Sequence, residues 1–343
     1  MSYRLKTLFM KHMIRKQQSE RPFDYEAAEA YALAEDAAPT VNNSYYFSAH
    51  DPKTETSLYC RLGLRSCHSE VWFCALLDGR RYVHTTLLHH GECPLSVSRR
   101  EDGWLIEFRG PLTAEDGTVL EAGFCGRFTS VEGPVDFFSH MPPVRTAKAM
   151  AGERWSREFF TEIRKNNQVH YEQYGHLDAT LTLGGEEHTL SLPCVRDHSF
   201  GTRVWGYMNN HVWLMAVNET SQLNFSAVSY PAMSLLEVGN LKDGDAPMAY
   251  ILSAEYDREA VAAGQIPERL EVTLTLTDGR RVLVTAEREF DTEYLFEDGA
   301  YRLLEGVGRF TIDGVAYRGI IEMGWNGDPA RIYNGKRIKE LKY

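Results

Sequence analysis

The segment Arg196-Asp197-His198-Ser199-Phe200-Gly201-Thr202-Arg203-Val204-Trp205-Gly206 packs an acid, an imidazole, a hydroxyl, two guanidiniums and two aromatics between strand-like runs. Thr189–Val195 precedes it and Val212–Val217 follows. Ionisable groups this dense between apolar strands point into a pocket or line its rim. A carboxylate beside an imidazole can move protons there, because burial and neighbouring charge shift both pKa values. Adjacent residues of a regular strand face opposite ways. Asp197 and His198 therefore share a side only if the strand ends or bulges, and Gly201 allows such a bend. Facing an apolar cavity, Asp197 would rise in pKa and protonate an alkene or carbonyl as a general acid, tuned by His198 or Arg203. The structural alternative pairs Asp197 with Arg196 or Arg203, or makes it a turn cap, and leaves His198 a satisfied buried histidine.

Arg203 and Trp205 alternate onto one face. Trp205 can stack on a flat ligand or stabilise a cation through its ring, or simply pack between two barrels. Tyr207, Asn209 and His211 continue that parity into a turn at the pocket mouth, and Trp213 and Asn224 can line the same cavity. The catalytic candidates are thus Asp197, His198 and Arg203. The substrate-binding candidates are Trp205, Tyr207, Asn209, His211, Trp213 and Asn224. Glu322 lies in an apolar strand, where it faces either a barrel interior or the surface.

No metal site is expected. His84 and His89 would face opposite ways on a regular strand, and the cysteines show neither a CxxC pair nor zinc-type Cys/His spacing. A GxSxG elbow, P-loop, GxGxxG and HExxH are all missing, which argues against the common hydrolases, nucleotide enzymes, Rossmann dehydrogenases and zincins. No cofactor is expected.

The elements that must position these residues are mostly strands. Tyr3 to Gln18 and Asp24 to Glu35 read as helices. From Tyr45 the pattern turns to period two, with short strands separated by Asp78-Gly79, Asp102-Gly103 and Asp116-Gly117 turns, as in a meandering barrel. Pro142-Pro143 breaks it, and Ala147 to Arg164 is helical. A second strand series runs from Gln168 to Tyr333. The fold class is mainly β, with an N-terminal helical extension over 1–42, a first barrel over 43–142, a linking helix over 143–166 and a second barrel over 167–343.

At 343 residues and 43% hydrophobic content, the chain can bury two cores. A net charge of -11 and no basic stripe in its body exclude a nucleic-acid partner. Its basic cluster is Arg4, Lys6, Lys11, Arg15 and Lys16, a solvated helix face or a peripheral membrane contact. No secretory leader and no apolar run of about 20 residues is visible. A cytoplasmic location with reduced thiols is expected.

Val195 to Arg203 followed by Trp205 resembles the D-H-S/N-W-G segment of a lipocalin-like superfamily that includes carotenoid 1,2-hydratase. Asn43-Ser44-Tyr45-Tyr46-Phe47, Arg61-Leu62-Gly63-Leu64-Arg65, Phe108-Arg109-Gly110-Pro111-Leu112 and Glu322-Met323-Gly324-Trp325-Asn326-Gly327 are similar to a bacterial branch of it. The resemblance implies two consecutive lipocalin-like antiparallel barrels in a pseudo-symmetric pair with a hydrophobic cavity. It implies a cofactor-independent hydratase or cyclase acting on an isoprenoid or polyene, with Asp197 as proton donor. Phe200 departs from the pattern, where relatives carry Trp, and weakens a carbocation mechanism. The rival expectations are a non-catalytic carrier of a lipid or terpenoid, and a scaffold whose barrel interiors are filled.

Overall fold

The computed structural model describes residues 1–165, 168–329, 331–333 and 336–338. Two closed antiparallel barrels of eight strands each dominate it. The first runs through Val41–Asp51, Thr56–Leu64, Ser69–Leu77, Arg80–Val83, Gly103–Ala114, Val119–Ser130, Gln168–Leu183 and Glu186–Thr202, and the last of these pairs back onto the first. The second runs from Asn210–Val217 to Val315–Asn326, which pair with each other to close the ring. Tight hairpins fit the turn chemistry. Asp78-Gly79 and Asp313-Gly314 take positive φ at both positions (51° and 73°, 48° and 85°), the conformation that matches strand twist.

The pairing moves the boundary between the barrels. Residues 168–202, expected in the second barrel, close the first. Gly175↔Ser130 through Leu183↔Ala122 tie them to the preceding sheet. Alternation alone cannot say which sheet a hairpin joins, so the helical break at 143–166 read as a linker. It is an excursion inside the first barrel, and the true crossing is the short stretch from Arg203 to Asn209. The single helix expected there is two, α3 (Pro143–Gly152) and α4 (Arg157–Lys165). At the N-terminus, α1 spans Tyr3–Glu20, and α2 is a single short piece, Tyr25–Glu29.

Both barrel interiors are packed with side chains. In the first, Phe47, Phe73, Phe108, Phe124, Leu192 and Cys194 are among the buried core. In the second, Leu214, Phe225, Val272, Val284 and Phe310 play that part. Between the barrels lies a third cluster, with Tyr46, Tyr59, Trp72, Val195, Met215 and Ile320. Alternation along Glu186–Thr202 therefore sorts the candidate residues. Arg196, His198 and Phe200 follow Leu192 and Cys194 inward, while Asp197 follows Val195 outward to the other barrel.

The inward residues form a lid on the first barrel. Arg196 donates to both carboxylate oxygens of Glu29 on α2, at 2.6 and 2.9 Å, with neither side chain exposed. Its guanidinium lies 4.0 Å over the Trp104 ring. Phe200 stacks on Tyr31, 4.1 Å between centroids. Elsewhere α1, α3 and α4 pack on one another through Met10, Ile14, Ala147, Met150 and Phe159, against Met233 of the second barrel. Among the described residues no helix is long and apolar enough to cross a membrane.

Candidate active site

A cavity of about 590 Å³ opens between the barrels, on the faces turned toward each other. It has the volume of a small-molecule site. One wall comes from the first barrel and carries His170 and Asp197. The facing wall comes from the second and carries His211, Trp213 and Glu322. The crossing segment supplies Arg203, Trp205 and Tyr207.

On the first wall, register brings Glu172 opposite Asp197 and His170 opposite Ser199. His170, Glu172 and Asp197 therefore share the outward face. His170 Nε2 forms an ion pair with Asp197 Oδ2 and lies 3.6 Å from Glu172 Oε1. Its ring stacks on Phe137 at 4.3 Å. Burial alone would lower the His170 pKa, but Asp197 and Glu172 outweigh it and push it up to about 10. At neutral pH the proton of this pair rests on His170. Burial raises Glu172, opposed by His170 and by Asn224, whose Nδ2 donates to its carboxylate. The ligand-type atoms of His170, Glu172 and Asp197 lie within 4.8 Å of one another. They could hold a divalent cation only after His170 gives up its proton, because an imidazolium has no lone pair to offer.

The second wall repeats the theme. His211 bridges Tyr301 Oη and Glu322 Oε1, each at 2.6 Å. Glu305 faces Glu322 across the ladder and accepts from the Tyr46 hydroxyl. Burial and the adjacent Glu322 push Glu305 well above the carboxyl range, so it holds a proton. Burial works against ionisation of Glu322 too, but its bond to His211 holds it below its ordinary value. The cavity thus has a protonated imidazole on one side and a carboxylate bonded to an imidazole on the other.

Between them sits the crossing segment. Glu297 accepts from the backbone N–H groups of Trp205 and Gly206, at 2.8 and 3.0 Å, and fixes the 3-10 turn Trp205–Tyr207. Trp205 stacks on Phe296 at 4.2 Å. Arg203 lies over the other part of this stack, 5.1 Å from the Trp205 ring. It donates to Ser199 Oγ at 3.1 Å and, with the Gln168 carboxamide turned to accept, to Gln168 at 2.8 and 3.0 Å. Burial and the nearby Arg61 lower its pKa to about 10, so it stays charged.

Of the residues singled out from sequence, Asp197, Arg203, Trp205, Tyr207, His211 and Trp213 line the cavity. Asn209 does not; its backbone N–H is bonded to Ser229 beside the turn. Asn224 also stays behind the wall, holding Glu172. His198 is the main correction. It points into the first barrel, with Nδ1 2.6 Å from Tyr171 Oη, Nε2 2.8 Å from Asn43 Oδ1, and its ring stacked on Tyr45 at 4.3 Å. The strand does not bulge there, so alternation separates it from Asp197. His84 and His89, expected to diverge, meet instead, Nε2 to Nε2 at 3.0 Å, because the strand ends at Val83 and the chain turns back. His170, Glu172 and Glu305 were missed. His170 and Glu172, two residues apart on a strand, flank Tyr171; that spacing was the available signal. Glu305 carried a similar one, a lone charge among Leu303, Leu304 and Val307.

The two histidines predict a stability maximum near neutrality. Burial, with Arg196 and His170 adding to it, drives the His198 pKa down from 6.5 to about 2. The unfolded chain binds that proton first, so the contribution is complete above pH 6.5 and erodes as pH falls. His170 works in the other direction. Its contribution is complete below pH 6.5 and is lost as pH rises toward 10. Each proton carries a slope of about 1.4 kcal/mol per pH unit. The urea midpoint should therefore peak near pH 6.5, with His198→Gln flattening the acid limb and His170→Gln the alkaline one. A profile with both limbs unchanged in these variants would refute the assignment.

The sequence profile of a family described as a domain of unknown function, DUF7064, matches residues 26–327. The chain belongs to the DUF7064 family. A search of curated proteins finds no match to it. Among solved structures, this DUF7064 chain is similar to kievitone hydratase from Nectria haematococca, with a TM-score of 0.52 and 12% identity over 86% of this chain and 92% of that one. It is also similar to CghA solved with Sch210972, with a TM-score of 0.46 and 10% identity over 83% of this chain and 88% of that one. At these identities the likeness is one of fold.

Proposed function

We propose that this chain is a cofactor-independent lyase or isomerase, a hydratase or cyclase, acting on a hydrophobic small molecule by proton transfer between its barrels. The observation that carries this is the pairing of a protonated His170–Asp197 wall with a Glu322–His211 wall across one cavity. A group that gives a proton faces one that takes a proton, the arrangement that addition of water or migration of a double bond requires. His170, held charged by Asp197, donates to an alkene carbon or carbonyl oxygen. Glu322, oriented through His211 by Tyr301, takes the proton of the attacking water or of the adjacent carbon. Trp205, Tyr207 and Trp213 hold the substrate and exclude bulk water. No net change in oxidation state occurs, so the chemistry needs no redox partner.

The fold shared with kievitone hydratase supports this reading. The family resemblance adds isoprenoid or polyene substrates and a bacterial source to it, and the reading of the cysteines as reduced thiols adds a cytoplasmic setting. A carrier would need the cavity but not two acid–imidazole pairs, which are costly to bury. Both interiors are filled, as the scaffold reading requires, but the cavity between the barrels favours a molecule that holds a ligand. The test is mass spectrometry of an organic extract of the purified protein, followed by incubation of the bound compound with the protein in D₂O. Incorporation of one deuterium at carbon is expected. A retained compound that never exchanges would leave a carrier instead.

A further inference from the structure

The buried guanidiniums of Arg61, Arg196 and Arg318 have carboxylates at hand, whereas Arg203 is part-buried. Arg61 meets Glu70 at 2.8 Å, Arg196 meets Glu29, and Arg318 meets Glu289. Arg203 has no carboxylate within ion-pair distance among the described residues, and of the acids that line the cavity, Asp136, Glu162, Asp197 and Glu322, the third and fourth are taken by His170 and His211. Around it the cavity lining presents further donors. The indole N–H groups of Trp72, Trp205 and Trp213 are buried and have no acceptor. Trp72 and Trp205 are 1% and 5% exposed. Trp72 and Trp205 are joined through Arg61, whose guanidinium lies 4.9 Å over the first ring and 5.7 Å over the second. An unmet buried donor is destabilising, because it has given up its bond to water without gaining another. A purely hydrocarbon ligand would leave the three indole N–H groups unmet.

We infer that the cavity takes a flat aromatic or conjugated ligand bearing an anionic or strongly accepting oxygen, such as a carboxylate, phenolate or enolate, seated on Arg203 and served by the indole N–H donors. The flat part stacks among the aromatic rings, and the oxygen supplies the counter-charge that Arg203 lacks. Arg203 is then a binding residue. This deepens the reading above, resting on it for the location of the site, and it replaces a plain polyene with an oxygenated ligand.

A matched pair of fluorescent probes tests it. 8-Anilinonaphthalene-1-sulfonate and N-phenyl-1-naphthylamine share one ring system, and only the first carries a negative charge. The anionic probe should bind at one site about tenfold tighter than the neutral one, the value of a single charge-assisted bond. Arg203→Gln should remove that preference and leave the neutral probe unchanged, while Arg203→Lys keeps most of it. Trp205→Phe, which keeps a ring and drops the N–H, should weaken the anionic probe alone. Equal affinity for the two probes in the native protein overturns the inference without any variant. So does a preference that survives Arg203→Gln. Neither readout involves turnover, so a failure here leaves the deuterium test of the reaction untouched, and the reverse holds as well.

Separate residues carry a second inference, that α1 docks on an anionic lipid surface. Met10 and Ile14 face the helical cluster, while Leu5, Leu8 and Phe9 on the other side are 57%, 64% and 50% exposed. Arg4, Lys11, Arg15 and Lys16 accompany them, and no acid precedes Glu20 on this helix in a chain of net charge -11. A helix with an apolar outer face and basic flanks suits an anionic interface. Sedimentation with vesicles of phosphatidylcholine containing about 30% phosphatidylglycerol should carry the protein down, and vesicles of phosphatidylcholine alone should not. Leu8→Glu should abolish the binding. No binding, or equal binding to both vesicles, overturns this.

Discussion

Asp197→Asn should cut turnover of the cavity's substrate by about 10²–10⁴-fold, the range attributed to one positioned acid, while the chain still folds. The reason is the state of its partner. Asp197 keeps the proton on His170 by compensating the imidazolium, and an amide cannot do so. His170 then falls back toward a neutral imidazole and stops donating at neutral pH. Folding survives because His170 can shed its charge and the substituted amide has no charge to bury. The rate should recover in part at lower pH, where His170 regains its proton. Loss of the folded state in Asp197→Asn, seen by near-ultraviolet circular dichroism, would show that the pair is structural.

Glu29→Ala should have the opposite profile, with a stability loss of about 3–5 kcal/mol in urea unfolding and intact proton chemistry in whatever fraction stays folded. Glu29 neutralises Arg196 with both side chains fully buried. Arginine does not deprotonate in a protein, so the lone cation would stay buried and uncompensated. Arg196 is not among the cavity's lining residues and points toward the barrel lid. A Glu29→Ala protein as stable as the parent would mean that water reaches Arg196. The adjacent Asp197 and Arg196 thus give contrasting outcomes, one chemical and one structural, because strand alternation aims them at different barrels.

That alternation also marks how far the sequence could be read. Period-two runs and Asp-Gly turns were enough to show two antiparallel barrels, since those signals are local. Which barrel owns residues 168–202 is a matter of pairing over long separations, with Gly175 opposite Ser130 and Tyr46 opposite Asp197, and no local pattern encodes it. The same limit governs the site. Asp197, Arg203 and Trp205 were legible because they crowd one segment. His170 was not, because it meets Asp197 only through the hairpin that closes the first barrel, and Glu305 joins the site only through its ladder with Glu322. His198 stood out for its place beside Asp197, which is the one place on a straight strand from which it cannot help.

The packed cores have a consequence for how such a molecule can change. Each barrel carries its own complete interior, and the space for a ligand is a seam between two finished bodies. A small rotation of one barrel against the other would reshape that seam while leaving both interiors undisturbed. New ligand shapes are then accessible through part-buried residues at the junction, such as Tyr207, Met208 and Trp213, at a smaller stability penalty than enlarging a cavity inside a barrel would carry. An architecture that separates what keeps it folded from what it holds can diversify its contents while conserving its frame.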